Sequence, residues 1–221
     1  MEIGDYFKEN KIVPKGLYDI TLEYIQINKI SDDDLYYNEY YQTNLDEFFE
    51  CINFYPNRRL FEVISSAVKD FQDLFEPCCQ SGIFGSYIAK NHPGTYKGID
   101  INQLAIKKAK QRAKDNNLNE SIFQQENVFQ YGNIHEAIIG RHVINKKRTS
   151  INDEMLEKIC NISKNIILVQ TIYGNSSSKT VLESYQQAFN QHNFSFELLN
   201  QPLKIPETDS SSFVLKATQR L

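Results

Sequence analysis

Apolar positions follow one spacing through the first part of the chain and two alternating spacings through the rest. Leu17, Ile20, Thr21, Tyr24 and Ile25 recur three or four residues apart, on one face of a helix. Ser31 followed by Asp32, Asp33 and Asp34 has the form of a helix cap and an acidic first turn. The helix it opens carries Tyr37, Tyr41, Leu45, Phe48 and Ile52 on one stripe, and Tyr55-Pro56 is expected to break it. A further helix from Asn57 has Leu60, Ile64, Ala67, Val68 and Phe71 on its buried face.

From residue 74 onward, short apolar runs alternate with helical stripes. Strands are predicted at Leu74–Cys79, Tyr96–Asp100, Ser121–Gln125, Glu136–Ile139 and Asn165–Thr171. Helices are predicted at Gly82–Lys90, Asn102–Asn116, Ile151–Cys160 and Lys179–His192. The small face of the second of these, Ala105, Ala109 and Ala113, suits close packing on a sheet. Two alternating strands, Ser195–Leu203 and Ser211–Thr218, close the chain around a turn at Pro206. Strand–helix alternation predicts an α/β fold with a mostly parallel sheet, and the closing hairpin predicts an antiparallel edge strand. The expected division is a helical segment, residues 1–56, followed by one α/β domain, residues 57–221.

Composition narrows the function classes. A formal net charge of −4 gives no global basic field for nucleic acid or an anionic membrane. No apolar run approaches the ~20 residues that span a bilayer. The segment Met-Glu-Ile-Gly-Asp-Tyr-Phe-Lys has neither the basic nor the apolar region of a signal peptide, so a cytoplasmic protein is expected. Cys51, Cys78, Cys79 and Cys160 form no Cys-x-x-Cys pair and have no clustered histidines beside them, so no metal is expected. Adjacent Cys78 and Cys79 are poorly placed for a mutual disulfide and are read as packed thiols.

Candidate chemistry centres on Asp73–Ala89, which reads as a buried strand, a tight turn ending in Gly82, and a helix. A strand that delivers the chain into a helix N-terminus leaves backbone N–H donors for a polar or anionic group. The next strand, Tyr96-Lys97-Gly98-Ile99-Asp100, ends on an acid, which completes the outline of a nucleoside-binding βαβ unit.

Over roughly residues 57–221 the chain resembles the class I S-adenosylmethionine (SAM)-dependent methyltransferases. Glu76-Pro77-Cys78-Cys79-Gln80-Ser81-Gly82 is similar to that family's first motif, an acid followed by a glycine-rich turn. The resemblance implies a Rossmann-like seven-stranded sheet with a C-terminal antiparallel hairpin, SAM as cofactor, and the turn residues Cys78, Gln80, Ser81 and Gly82 around its methionine end. It further implies that Asp100 accepts from the ribose hydroxyls, that Asn127 meets the adenine amino group, and that Ile101 and Val128 offer the ring apolar faces. Two positions usually glycine in the motif are Cys78 and Gln80, where a Cβ enters the space that backbone and cofactor share.

Methyl transfer needs positioning above all, and a base only when the acceptor carries a proton. Arg141 and His142 follow the fourth strand, on the side where this architecture opens its crevice. His142 is the candidate general base, against a role in capping the strand or bonding a carbonyl. Arg141 is a candidate for a carboxylate of cofactor or substrate, against a surface ion pair. Tyr173 just past the fifth strand is placed to face the sulfonium or a flat substrate, or to pack. His92, His135 and His192 read as structural or solvated.

Tyr36, Tyr37, Tyr40 and Tyr41 are either a packing face or a lid whose rings face the sulfonium, with Tyr37 and Tyr41 on the buried stripe. Arg58 and Arg59 are candidates for holding that lid or an acidic substrate.

The leading expectation is a methyltransferase acting on a small molecule, with no nucleic acid or membrane partner. The Asn/Asp-Pro-Pro-aromatic motif of amino-methylating nucleic-acid enzymes is replaced by Ile139-Gly140-Arg141-His142. The alternatives are an enzyme that transfers or cyclises the aminobutyryl part of SAM, as azetidine-2-carboxylate synthases do, and a non-catalytic binding module.

Overall fold

The computed structural model describes residues 54–146, 150–172, 178–204 and 211–220. The expected N-terminal lid with Tyr37 and Tyr41, Cys51 and Tyr173 lie outside the described residues.

The first described element is helix α1 (Phe54–Val68), with Leu60, Phe61, Ile64 and Val68 buried. The helix expected to end at Tyr55-Pro56 lies outside the described residues, and α1 begins at Phe54, three residues before the expected Asn57. Pro56 falls in the helix's first turn, where an N–H would have no intrahelical acceptor and a fixed φ is already helical. The helix stops at Val68, whose carbonyl accepts from Phe71 N at 3.1 Å.

Strand and helix then alternate: β1 (Asp73–Pro77), α2 (Ile83–Asn91), β2 (Thr95–Asp100), α3 (Gln103–Asp115) and, after a single 3-10 turn, β3 (Phe123–Gln125). They continue as β4 (His135–Arg141), the two-residue strands β5 (Asn145–Lys146) and β6 (Ser150–Ile151), α4 (Asp153–Ile162) and β7 (Ser163–Ile172). The last elements are α5 (Ser178–Gln191), β8 (Phe194–Leu198), β9 (Leu203–Lys204) and β10 (Ser211–Gln219). Asparagine side chains start two of the helices: Asn102 Oδ1 accepts from Ala105 N at 3.0 Å and Asn152 Oδ1 from Met155 N at 3.2 Å.

The main sheet runs β3-β2-β1-β4-β7-β10-β8, with β9 paired to the start of β10. The first five of these strands are parallel, and β10 is antiparallel to both its neighbours. The antiparallel strand is therefore inside the sheet, one place in from the edge it was expected to form. Burial explains the order. Phe213, Val214, Leu215 and Ala217 of β10 are fully buried, so both faces need cover, whereas in β8 only Phe194 is buried and the rest alternate between exposed and half-buried. The predicted strand over 195–203 is split because Asn200 interrupts it, its Oδ1 accepting from Val214 N at 2.7 Å in place of a ladder carbonyl.

Alternate residues of the central strands feed two cores. Phe75, Ile138, Leu168 and Phe213 pack with α4 and α5 on one face; Leu74, Ile139, Ile167 and Val214 pack with α1, α2 and α3 on the other. Strand order reverses between β1 and β4, since β2 and β3 extend to one side of β1 while β4 and β7 extend to the other. The carboxyl ends of β1 and β4 thus flank the switch-point crevice of an open α/β sheet. Among the described residues no helix is long and apolar enough to cross a membrane.

Candidate functional site

The chain leaves β1 through a turn with three left-handed residues at alternate positions: Cys78 (φ 56°), Gln80 (φ 54°) and Gly82 (φ 71°). The first two are the positions that carry glycine in the motif the sequence resembles. The glycine-type backbone is retained without the glycines, at about 1–2 kcal/mol of strain for each L-residue held there. Glycine is kept at the third position for a second reason. A Cβ on Gly82 would lie 2.8 Å from Ala109 Cβ and 2.8 Å from Phe123 Cζ, so the alanine face of α3 and the start of β3 close on bare backbone.

Asp100, at the end of β2, holds this turn. Its Oδ2 accepts from Gln80 N at 2.9 Å and its Oδ1 from Asn102 N at 2.9 Å. Cys79 N donates to Ile99 O at 2.8 Å, a second tie between the turn and β2. Burial raises the Asp100 carboxyl pKa, and the backbone N–H donors at Asn102, Gln80 and Ile101 oppose the rise. A carboxylate has about four lone-pair sites, so these donors leave capacity for a ligand hydroxyl. Gly82 stands at the N-cap of α2 and has no side chain with which to accept from the N–H groups of that helix's first turn.

Glu76 lies beneath the turn, 3% exposed, and accepts a hydrogen bond from the Tyr96 hydroxyl. Burial pushes its carboxyl up to about 8; the Tyr96 hydrogen bond and the Arg141 charge pull against this, and the Asp100 charge adds to it. Tyr96 reaches Glu76 through a slot between two glycines. A Cβ on Gly85 of α2 would collide with the Tyr96 hydroxyl and sit 2.6 Å from Glu76 Oε2, and one on Gly98 would sit 2.7 Å from the same hydroxyl. Sequence reasoning named Glu76 but missed Tyr96, Gly85 and Gly98. Their signal was present as single glycines inside a helix and a strand, which mark close approach.

Burial also raises both turn thiols, Cys78 to about 12 and Cys79 well above the ordinary value. They are poor thiolates, as expected for packed cysteines. Ser81 is buried, and its carbonyl accepts from Arg112 Nε at 3.2 Å, which ties the turn to α3.

Across the crevice, the Arg141 guanidinium lies 5.4 Å from the centroid of the Phe61 ring of α1. It is half-buried and joins the helical face to the end of β4. His142 follows with φ 55°, its N–H donating to Val169 O at 3.0 Å, so the chain turns out of the sheet at the residue singled out as a base.

Asn127 and Val128 follow β3. Asn127 Oδ1 accepts from Phe129 N at 2.9 Å, an Asx turn that uses the side-chain oxygen locally. Val128 is buried in the core with Phe75 and Ile99. The exposed apolar groups at this end are Ile101, 63% exposed, and Phe129, 42% exposed. Phe129 was not among the sequence candidates. The structure therefore gathers Glu76, Cys78, Gln80, Ser81, Gly82, Asp100 and Ile101 around the ends of β1 and β2, with Arg141 and His142 at the end of β4.

No protein-family model matches the chain, and no curated protein matches its sequence. Solved structures match its fold. Magnesium protoporphyrin IX methyltransferase from Synechocystis PCC 6803, solved with bound S-adenosylhomocysteine (SAH), superposes with a TM-score of 0.64 at 12% identity, covering 86% of this chain and 100% of that one. A putative RNA methyltransferase from Pyrococcus horikoshii matches at 0.57 and 11% identity, over 74% of this chain and 82% of that one. The methyltransferase domain of a bacterial Hen1 matches at 0.57 and 14% identity, over 75% and 99%. All three are described as methyltransferases, the first named for magnesium protoporphyrin IX and the second for RNA. The strand order, the inserted antiparallel β10 and these superpositions agree: the chain has the class I SAM-dependent methyltransferase fold.

Proposed function

We propose that the chain binds SAM in the crevice at the ends of β1, β2 and β4 and transfers the methyl group to a small-molecule acceptor. The observation that carries the reading is the Asp100 carboxylate, clamped by Gln80 N and Asn102 N at 2.9 Å each. It is fixed in direction, yet retains acceptor capacity for a ligand hydroxyl. The left-handed residues at 78, 80 and 82 support the same reading, because they keep the tight turn that brings backbone donors close to a ligand.

When bound, the sulfonium would supply an activated methyl group. The chain's residues would then bind and orient. Asp100 would take the ribose hydroxyls, and Asn127 the adenine edge with what remains of its hydrogen-bonding capacity. Ile101 and Phe129, the exposed apolar groups, would take the ring faces. Arg141, next to a Glu76 held largely protonated at neutral pH, is suited to a carboxylate. His142 would remove a proton from an acceptor that carries one, and Tyr173 would face the reacting centre from the end of β7. Residues before α1, with Tyr37 and Tyr41, would serve as the lid of a SAM-binding domain over 57–221.

A small-molecule acceptor is favoured by the net charge of −4 and by Ile139-Gly140-Arg141-His142 in place of a nucleic-acid-type motif. Incubation with SAM and a panel of small acceptors, read by mass spectrometry, tests the reaction. SAH is the expected by-product; methylthioadenosine in its place would mean that the aminobutyryl group is transferred.

A further inference from the structure

The connection from β3 to β4 is held at both ends. Glu126 N donates to Asp100 O at 3.1 Å, and the Glu126 carboxylate pairs with Lys97 Nζ at 2.7 Å. One turn follows, closed by Gln130 N and Tyr131 N donating to Asn127 O at 3.0 and 3.1 Å. Tyr131 ends that turn, and its ring stacks on Phe75 with centroids 4.5 Å apart and planes within 7°. Lys97 Nζ lies 4.8 Å from the Tyr131 centroid, so the same ammonium meets Glu126, just before the turn, and the ring of the turn's last residue.

The Tyr131 hydroxyl then starts a partly buried chain. It meets His135 Nε2 at 2.6 Å, and His135 Nδ1 meets Asp73 Oδ2 at 2.6 Å. The Asp73 carboxylate can only accept, which puts a proton on Nδ1; in the neutral imidazole, Nε2 then accepts from Tyr131. Thr95 Oγ1 donates to the other Asp73 oxygen at 2.8 Å, and Asn133 Nδ2 donates to the Tyr131 oxygen at 3.4 Å. His135 also stacks on Phe75, at 4.6 Å. Asp73 and His135 open β1 and β4, at the end of the sheet opposite the crevice, and Tyr131 is 5% exposed. A tyrosine–histidine–aspartate chain in that place reaches no reacting atom, but it fixes the residue on which the Asn127–Tyr131 turn ends.

We propose that Asp73, His135 and Tyr131, together with Lys97, are positioning residues for the adenine subsite: they hold the turn whose residues Asn127 and Phe129 face the base. This rests on the SAM reading above. The Tyr131→Phe variant keeps the ring and its stack and removes only the hydroxyl. Calorimetry with SAH and with its hypoxanthine counterpart, S-inosylhomocysteine, reads the base edge separately from the rest of the ligand. The expected result is a Kd for SAH raised roughly 5- to 10-fold while that of the counterpart moves by under about twofold, as the loss of one edge contact would give. Equal weakening of both ligands, or no change in either, would overturn the proposal. If Tyr131→Phe fails to fold, Lys97→Met keeps the aliphatic stem, removes the ammonium from Glu126 and from the Tyr131 ring, and carries the same expectation. If the wild-type protein binds neither ligand, the SAM reading has failed. Hydrogen exchange then tests the turn alone: faster exchange of the Gln130 and Tyr131 amides in the variant supports the positioning role, and unchanged exchange overturns it.

Discussion

Replacing Gln80 separates backbone strain from side-chain chemistry at the turn after β1. Its φ of 54° is a conformation that costs an L-residue about 1–2 kcal/mol and glycine almost nothing. Glycine in turn loses about 0.5–1 kcal/mol more conformational entropy on folding than alanine. The difference leaves Gln80→Gly about 0.5–1 kcal/mol more stable than Gln80→Ala. Both variants lack the side chain, and both keep the N–H that bonds Asp100, so the comparison cancels everything except the Cβ. For a domain of this size 1 kcal/mol corresponds to about 2–4 °C in Tm, within reach of urea or thermal unfolding. Lys107, exposed in α3, supplies the control of opposite sign: there alanine is expected to exceed glycine by about 1 kcal/mol. A Gln80→Ala variant as stable as Gln80→Gly, with the Lys107 pair behaving normally, would refute the strain assigned to this turn.

Other expectations follow from the same site. Gly85→Ala pushes a methyl group into the Tyr96 hydroxyl and Glu76 Oε2, so a loss of about 1–3 kcal/mol in urea unfolding is expected, the usual range for overpacking. Glu76 has a folded pKa of about 8 against an ordinary 4.5, so the folded state binds its proton more tightly than the unfolded state. The stability this contributes is complete below about pH 4.5 and lost as pH rises towards 8, at up to about 1.4 kcal/mol per pH unit between. Wild-type stability measured relative to Glu76→Gln is therefore expected to fall across that window, and a flat difference would contradict the protonated state assigned to Glu76.

Most of the fold was legible in the sequence because its central strands are buried on both faces. Leu74-Phe75, Ile138-Ile139 and Ile166-Ile167-Leu168 are continuous apolar runs, and the helices between them show clear stripes. Errors arose where a local rule had two outcomes. The helix expected from Asn57 starts at Phe54, because a helix's first turn tolerates proline and Pro56 falls there. The two-residue strands β5 and β6 are too short to carry a period, and Asn200 divides what reads as one strand.

In the site, Asp100 and the turn could be found because spacing along the chain carries them. The Tyr96–Glu76 pair could not, since it depends on Gly85 and Gly98 clearing one slot from two different elements. His135 read as structural, and its partners Asp73 and Tyr131 became visible only when β1 and β4 were brought side by side.

The central claim is that the crevice at the ends of β1 and β2 holds SAM through Asp100. Calorimetric titration of the purified wild-type and Asp100→Ala proteins with SAH tests it most directly. The predicted result is saturable one-site binding to the wild type, weakened in the variant by about 1–3 kcal/mol through loss of charge-assisted hydrogen bonds. Absence of binding to the wild type at millimolar ligand, or equal affinity in the two proteins, would contradict it.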